Sequence, residues 1–224
     1  MDFDLTAPAD TDGALSRVVA VNTAHLREYA QSRVVQVFRT GTQLADESAR
    51  DRLLSCNQMW SDAFQRMLEA RCRYEDDPQL AAMAEDHRRE EAGHNRLLEH
   101  ARGGSPVIWD PVVAACSAWI VDSMANLSSV GRLVLVHLVL EGGALVALSA
   151  GARGFPDAEY FRLHSEDDSE HLREGYEMLA RRADWDLDEV LAVIEQGWSI
   201  VETVSDRTVE LMTAHLETVE AVLR

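Results

Sequence analysis

The chain contains no lysine: all 21 basic residues are arginine, set against 39 Asp and Glu, for a net charge of −18 over 224 residues. That imbalance argues against nucleic acid or an anionic membrane surface as a partner, because like charges repel. The all-arginine composition itself carries no functional meaning. Cysteine is scarce. Cys56, Cys72 and Cys116 are too few and too scattered for a disulfide framework or a zinc ribbon, and they read as core thiols of a cytoplasmic protein. Short alternating β-branched runs bounded by turns are missing, as are low-complexity segments and any composition break that would mark a linker. The opening MDFDLTAPAD lacks the basic-then-apolar pattern of a signal peptide, and residues 1–12 read as a flexible lead-in.

The composition that remains, 46% hydrophobic and 27% charged, is that of a globular protein with enough chain to bury a sizeable core. The five prolines punctuate segments instead of interrupting them, and 3.6-residue periodicity between them predicts seven helices. These fall near 13–39, 46–74, 79–102, 111–127, 130–151, 157–182 and 186–223, with Asp157 and Asp186 as N-terminal caps or first-turn acids. The expectation is a single all-α domain spanning 1–224. One stretch, Leu133 to Ala152, is long and apolar enough for a membrane span, but His137, Glu141 and Gly142-Gly143 interrupt it. A helix buried inside a bundle fits better. A carboxylate at its middle then costs several kcal/mol unless it is paired or metal-bound.

Two octets supply a reason for that carboxylate. Residues 164–171 read HSEDDSEH, and on a helix the positions i, i+4 and i+7 fall within about 60° of one another. His164, Asp168 and His171 therefore share a face, flanked by Tyr160, Phe161, Leu172, Tyr176 and Leu179. Asp167 and Glu170 point elsewhere. Residues 87–94, HRREEAGH, repeat the spacing with His87, Glu91 and His94. Glu141 adds a third element, with His137 one turn before it as a residue that orients its carboxylate. Three carboxylates and three or four imidazoles without thiolate suit iron, with manganese also compatible, and can hold two ions. Acid-x-x-His pairs on facing helices, here Glu91-x2-His94 and Asp168-x2-His171, are the way di-iron carboxylate sites are built.

At these residues the sequence resembles the haem-oxygenase-like di-iron oxidases and oxygenases. The resemblance implies a seven-helix, all-α haem-oxygenase-like bundle. It also implies metal ligands from Glu91 and His94, from Glu141, and from His164, Asp168 and His171. Some members place the first acid seven residues before the His, a position occupied here by His87, so either Glu91 ligates or His87 joins or replaces it. The implied chemistry is attack on a small amine, amino acid or fatty acid by an oxidant formed from two Fe(II) ions and O2, by N-oxygenation or C–C cleavage in a biosynthetic pathway. An external electron donor and a helix-paired homodimer are compatible with it.

Three rivals share parts of this pattern. A ferritin-like di-iron bundle would need a further carboxylate from a preceding helix, for which Asp62 has the spacing. A thiaminase-type relative would use a cysteine nucleophile without metal, with Cys116 the central candidate. A metal-binding bundle without turnover is the third. Trp119 and Met124 either line a pocket or pack in the core.

Overall fold

The structure, a computed structural model, describes residues 13–155 and 158–222, excluding the side chains of 164–168 and 215–222. No strand occurs among the described residues. In chain order the helices are α1 (Gly13–Tyr29), α2 (Arg33–Thr40), α3 (Glu47–Tyr74), α4 (Pro78–Glu90), α5 (His94–Ala101) and α6 (Pro111–Asn126). They are followed by α7 (Ser129–Leu133), a π-helical stretch (Val134–Leu140), α8 (Glu141–Gly154), α9 (Glu159–Ala180) and α10 (Leu187–Val222).

Helix starts follow side-chain caps. Asp77 and Asp110 each precede a proline and accept from two backbone N–H groups, Gln79 and Leu80 in one case and Val112 and Val113 in the other. Asp46 accepts from Ala49 N–H, Ser128 from Gly131 N–H, and Asp186 from Glu189 N–H at 2.9 Å, the last as the sequence predicts. Asp157, the other expected cap, lies outside the described residues.

Two predicted helices are in fact broken. The segment expected over 13–39 turns at residues 30–32, where Ser32 is extended (φ −62°, ψ 159°) and separates α1 from α2. The segment expected over 79–102 breaks at 91–93, because Gly93 sits at φ 92° in the left-handed region that favours glycine. Gln65 of α3 holds this break, donating to the Glu91 carbonyl at 2.9 Å and accepting from Gly93 N–H at 3.3 Å.

Ser129–Gly154 runs as one continuous helix that is long and apolar enough to cross a membrane, yet 78% of its apolar window is buried against other helices. Val134–Leu140 within it is π-helical and wholly buried, and Glu141 N–H reaches back five residues to the Val136 carbonyl. α8 packs on α9 and α2, while α10 packs on α3 and on the π-helical stretch. Buried Asn22 ties this region together: it donates to the Leu138 carbonyl (3.0 Å) and to Tyr176 Oη (2.8 Å) and accepts from Trp198 Nε1 (2.8 Å). α9 approaches the π-helical stretch so closely that a Cβ on Gly175 would lie 2.6 Å from His137 Cβ.

Candidate metal centre

α4, the α4–α5 break, the π-helical stretch and α9 converge on one buried cluster. His87, Glu91 and His171 each offer a ligand atom within 4.8 Å of the other two, and all three residues are buried. Glu141 enters from the start of α8 between two imidazoles. Its Oε1 lies 3.0 Å from His87 Nε2, and its Oε2 accepts from His171 Nδ1 at 3.4 Å. Ring centroids of His87 and His171 are 4.4 Å apart. His94 contacts Glu91 Oε2 through Nδ1 at 2.9 Å, at the edge of the cluster.

The electrostatics are those of a site holding more charge than its burial favours. Burial alone would push the Glu141 carboxyl up, but the charges and contacts of His87 and His171 overcome it and hold that carboxyl well below the usual range. Burial likewise opposes a charged His171; its bond to Glu141, its attraction to that carboxylate, and its bond to Glu90 raise it to about 9. The pairing is incomplete. Although His87 Nε2 and Glu141 Oε1 are 3.0 Å apart, their orientation makes no hydrogen bond; both atoms and His87 Nδ1 are buried without a hydrogen-bond partner. Buried polar atoms are normally satisfied, so an unsatisfied imidazole nitrogen and carboxylate oxygen 3.0 Å apart, His87 Nε2 and Glu141 Oε1, form a donor pair suited to a cation. Their chemistry, imidazole and carboxylate without thiolate, fits iron or manganese.

The expected residues are placed unevenly. Glu91, His94, Glu141 and His171 come together, and His87 takes a central place in the cluster. The side chains of His164 and Asp168 lie outside the described residues, although both positions are on α9. His87, Glu91 and His94 do not stack on one continuous helix: Glu91 caps the end of α4 and His94 opens α5, and the turn at Gly93 brings them together. His137 does not orient Glu141. Both of its ring nitrogens are taken by partners on other helices. The ring instead accepts from Arg71 Nη1 at 2.8 Å through Nε2 and donates from Nδ1 to the His171 carbonyl at 3.1 Å.

Two participants escape the sequence reading. Glu90, exposed at the end of α4, accepts from His171 Nε2 at 3.1 Å. Arg71 is fully buried beneath His137. Its position one turn beyond Met67 and Leu68 on the core stripe of α3 was the available signal.

A cavity of about 120 Å³ opens beside the cluster. Glu91, His94 and Glu141 form one part of its wall; Phe38, Trp60, Phe64, Leu98, Ala147 and Phe161 supply much of the rest, and Tyr29 and Ser205 bond to each other at 2.8 Å within it. No arginine and no cysteine is among the described lining residues. Cys116 is buried elsewhere and burial pushes its thiol up; burial pushes that of Cys56 up to about 11. These are inert core thiols, and the thiaminase-type arrangement has no nucleophile here. Asp62, which a ferritin-like site would require, accepts from Gln58 and Asn95 at 2.9 Å each. Met124 is wholly buried and Trp119 packs partly buried against the core; neither lines the cavity.

No known family model matches the chain. An uncharacterised protein of Rickettsia prowazekii is 28% identical over 167 residues, covering 73% of this chain and 81% of that protein. A solved TenA homologue from Pyrococcus furiosus superposes with a TM-score of 0.71 at 9% identity, covering 87% of this chain and 99% of its own. A second, from Pseudomonas syringae pv. tomato, gives 0.72 at 10% identity over 91% of this chain and 94% of its own. A domain of unknown function with a haem-oxygenase-like fold from Shewanella denitrificans gives 0.62 at 19% identity, over 89% and 91% respectively. The chain therefore has the all-α, haem-oxygenase-like fold that its sequence predicts.

Proposed function

We propose that this protein is an O2-dependent, non-haem di-iron oxidoreductase acting on a small, largely apolar substrate. The observation that carries the reading is the buried His87–Glu91–Glu141–His171 cluster, with unsatisfied atoms on His87 and Glu141, whose two carboxylates line an adjoining apolar cavity. Glu91, His94, Glu141 and His171 are the proposed ligands, with His87 joining them and with His164 and Asp168 contributing from α9. Two iron ions held there would supply reductive activation of O2; manganese suits the same donors.

The chain's own residues define the rest. Glu141, with one oxygen toward His87 and the other toward His171, would hold the metal from the middle of the donor set. The apolar wall excludes water from the reacting end and accepts an aliphatic or aromatic body. With no arginine among the described lining residues, the polar end of an amine, amino acid or fatty acid is directed to the carboxylate–imidazole wall. An external electron donor would return the metals to the reduced state between turnovers.

The test is anaerobic reconstitution with Fe(II), then exposure to O2 against a panel of amines, amino acids and fatty acids. Rapid O2 consumption with a transient visible chromophore, altered by one substrate class, is the expected result. Slow oxidation indifferent to every small molecule would instead mark a protein that only stores or binds iron.

A further inference from the structure

Arg71 has no ordinary structural role. A buried guanidinium costs several kcal/mol unless its five donors are matched. Buried Arg132 shows what matching looks like in this fold: it donates to the Met124 and Leu127 carbonyls, to Ser129 Oγ and to both oxygens of Glu75. Arg71, fully buried, makes one hydrogen bond, from Nη1 to His137 Nε2 at 2.8 Å, and leaves Nε and Nη2 without a partner. Burial pulls its guanidinium down to about 10, with Glu75 and Glu141 opposing that shift, so it remains a cation at neutral pH.

A guanidinium can only donate, so His137 Nε2 must be the accepting nitrogen and Nδ1 must carry the proton. That proton goes to the His171 carbonyl at 3.1 Å. The chain of contacts thus runs from α3 through the π-helical stretch to the backbone of a proposed ligand on α9. His137 also packs 4.9 Å from the His87 ring, centroid to centroid.

We propose that Arg71 is a positioning residue for the metal centre: by fixing His137 in its Nδ1–H tautomer it clamps the His171 backbone, and so sets the ring of His171 before metal arrives. The inference rests on the di-iron reading for its consequence, but not for the clamp itself. Partners behind metal ligands commonly contribute about 10- to 100-fold in metal affinity, and a loss of that size is expected when the clamp is removed.

The experiment compares wild type, Arg71→Met, His137→Phe, His137→Gln and Arg132→Met as full-length proteins. The readouts are anaerobic Fe(II) affinity by competition, thermal unfolding without metal, and imidazole ¹⁵N shifts without metal. Arg71→Met and His137→Phe are expected to bind iron about 10- to 100-fold more weakly. His137→Gln, whose amide can accept from Arg71 and donate to the His171 carbonyl, is expected to recover most of that loss. Arg132→Met is expected to lower the unfolding temperature with iron affinity unchanged. In the wild type, His137 is expected to give the Nδ1–H pattern, lost in Arg71→Met.

Wild-type iron affinity retained in Arg71→Met would overturn the proposal, as would weakening in His137→Gln equal to that in His137→Phe. A wild type that binds no iron would overturn the di-iron reading instead, and the ¹⁵N pattern would still decide whether Arg71 sets the tautomer.

Discussion

Gly175→Ala probes the closest approach around the site. The added Cβ would lie 2.6 Å from His137 Cβ and 3.1 Å from Leu138 Cδ2. Carbon atoms pack at about 3.5 Å or more, so α9 must retreat from the π-helical stretch by about 1 Å. Both neighbours sit on buried, stiff positions, so the strain is expected to cost about 1–3 kcal/mol. Alanine's better helix propensity returns about 1 kcal/mol, leaving a net loss of ~0–2 kcal/mol. The site should suffer more than the fold does. His171 lies one turn before Gly175 on the same face, and its bond to Glu141 is already 3.4 Å long. A further 1 Å breaks it, and iron affinity should fall at least about tenfold, as for loss of other supporting contacts. Urea unfolding and anaerobic Fe(II) competition on the same preparation measure both effects. An alanine variant stabilised by about 1 kcal/mol, as at an unconstrained helical glycine, with unchanged iron affinity, would refute the close-packing argument.

Asn22→Leu keeps the side chain's branching but strips partners from Trp198 Nε1, Tyr176 Oη and the Leu138 carbonyl. With about 1–3 kcal/mol for each buried group left unsatisfied, at least ~3 kcal/mol should be lost, and the calorimetric midpoint should fall by roughly 6–12 °C. A shift under 2 °C, by about the same scale, would mean that the network is not coupled to the fold. Asp110→Asn tests the α6 cap, where Asp110 also accepts from Arg207 Nε (3.0 Å) and Nη2 (2.8 Å). The Arg207 bonds come first among the influences that hold its carboxyl below 3.8, outweighing burial. The wild-type advantage, about 1–2 kcal/mol, should therefore be fully present above pH 3.8 and fade as pH falls through the lower folded value. Stability curves of the two proteins that stay parallel down through that range would contradict the assignment.

The all-α architecture is legible in the sequence because apolar periodicity and proline punctuation act locally. The ligand types are legible too, since acids and histidines at helical spacing on an apolar flank have few other uses. The geometry of the first octet was not recoverable in the same way. Gly93 was visible in HRREEAGH, but the choice between continuing the helix and taking φ 92° is made by Gln65, 28 residues earlier in the chain. The π-helical stretch hides for a different reason. Val134–Leu140 is apolar on all faces apart from His137, so it carries no periodic signal to reveal its winding. Four-residue spacing points His137 toward Glu141, whereas its hydrogen-bond partners lie on α3 and α9. Arg71 was one of 21 identical cations, distinguishable only by extending the core stripe of α3 one further turn.

A buried two-metal centre would show itself first in metal content. Anaerobic Fe(II) titration of the full chain, read by elemental analysis after desalting, should give two irons per chain. Glu141→Ala and His171→Ala should each lose at least one. A wild type that retains no iron, or variants that both keep two, would rule out a two-metal centre built on Glu141 and His171.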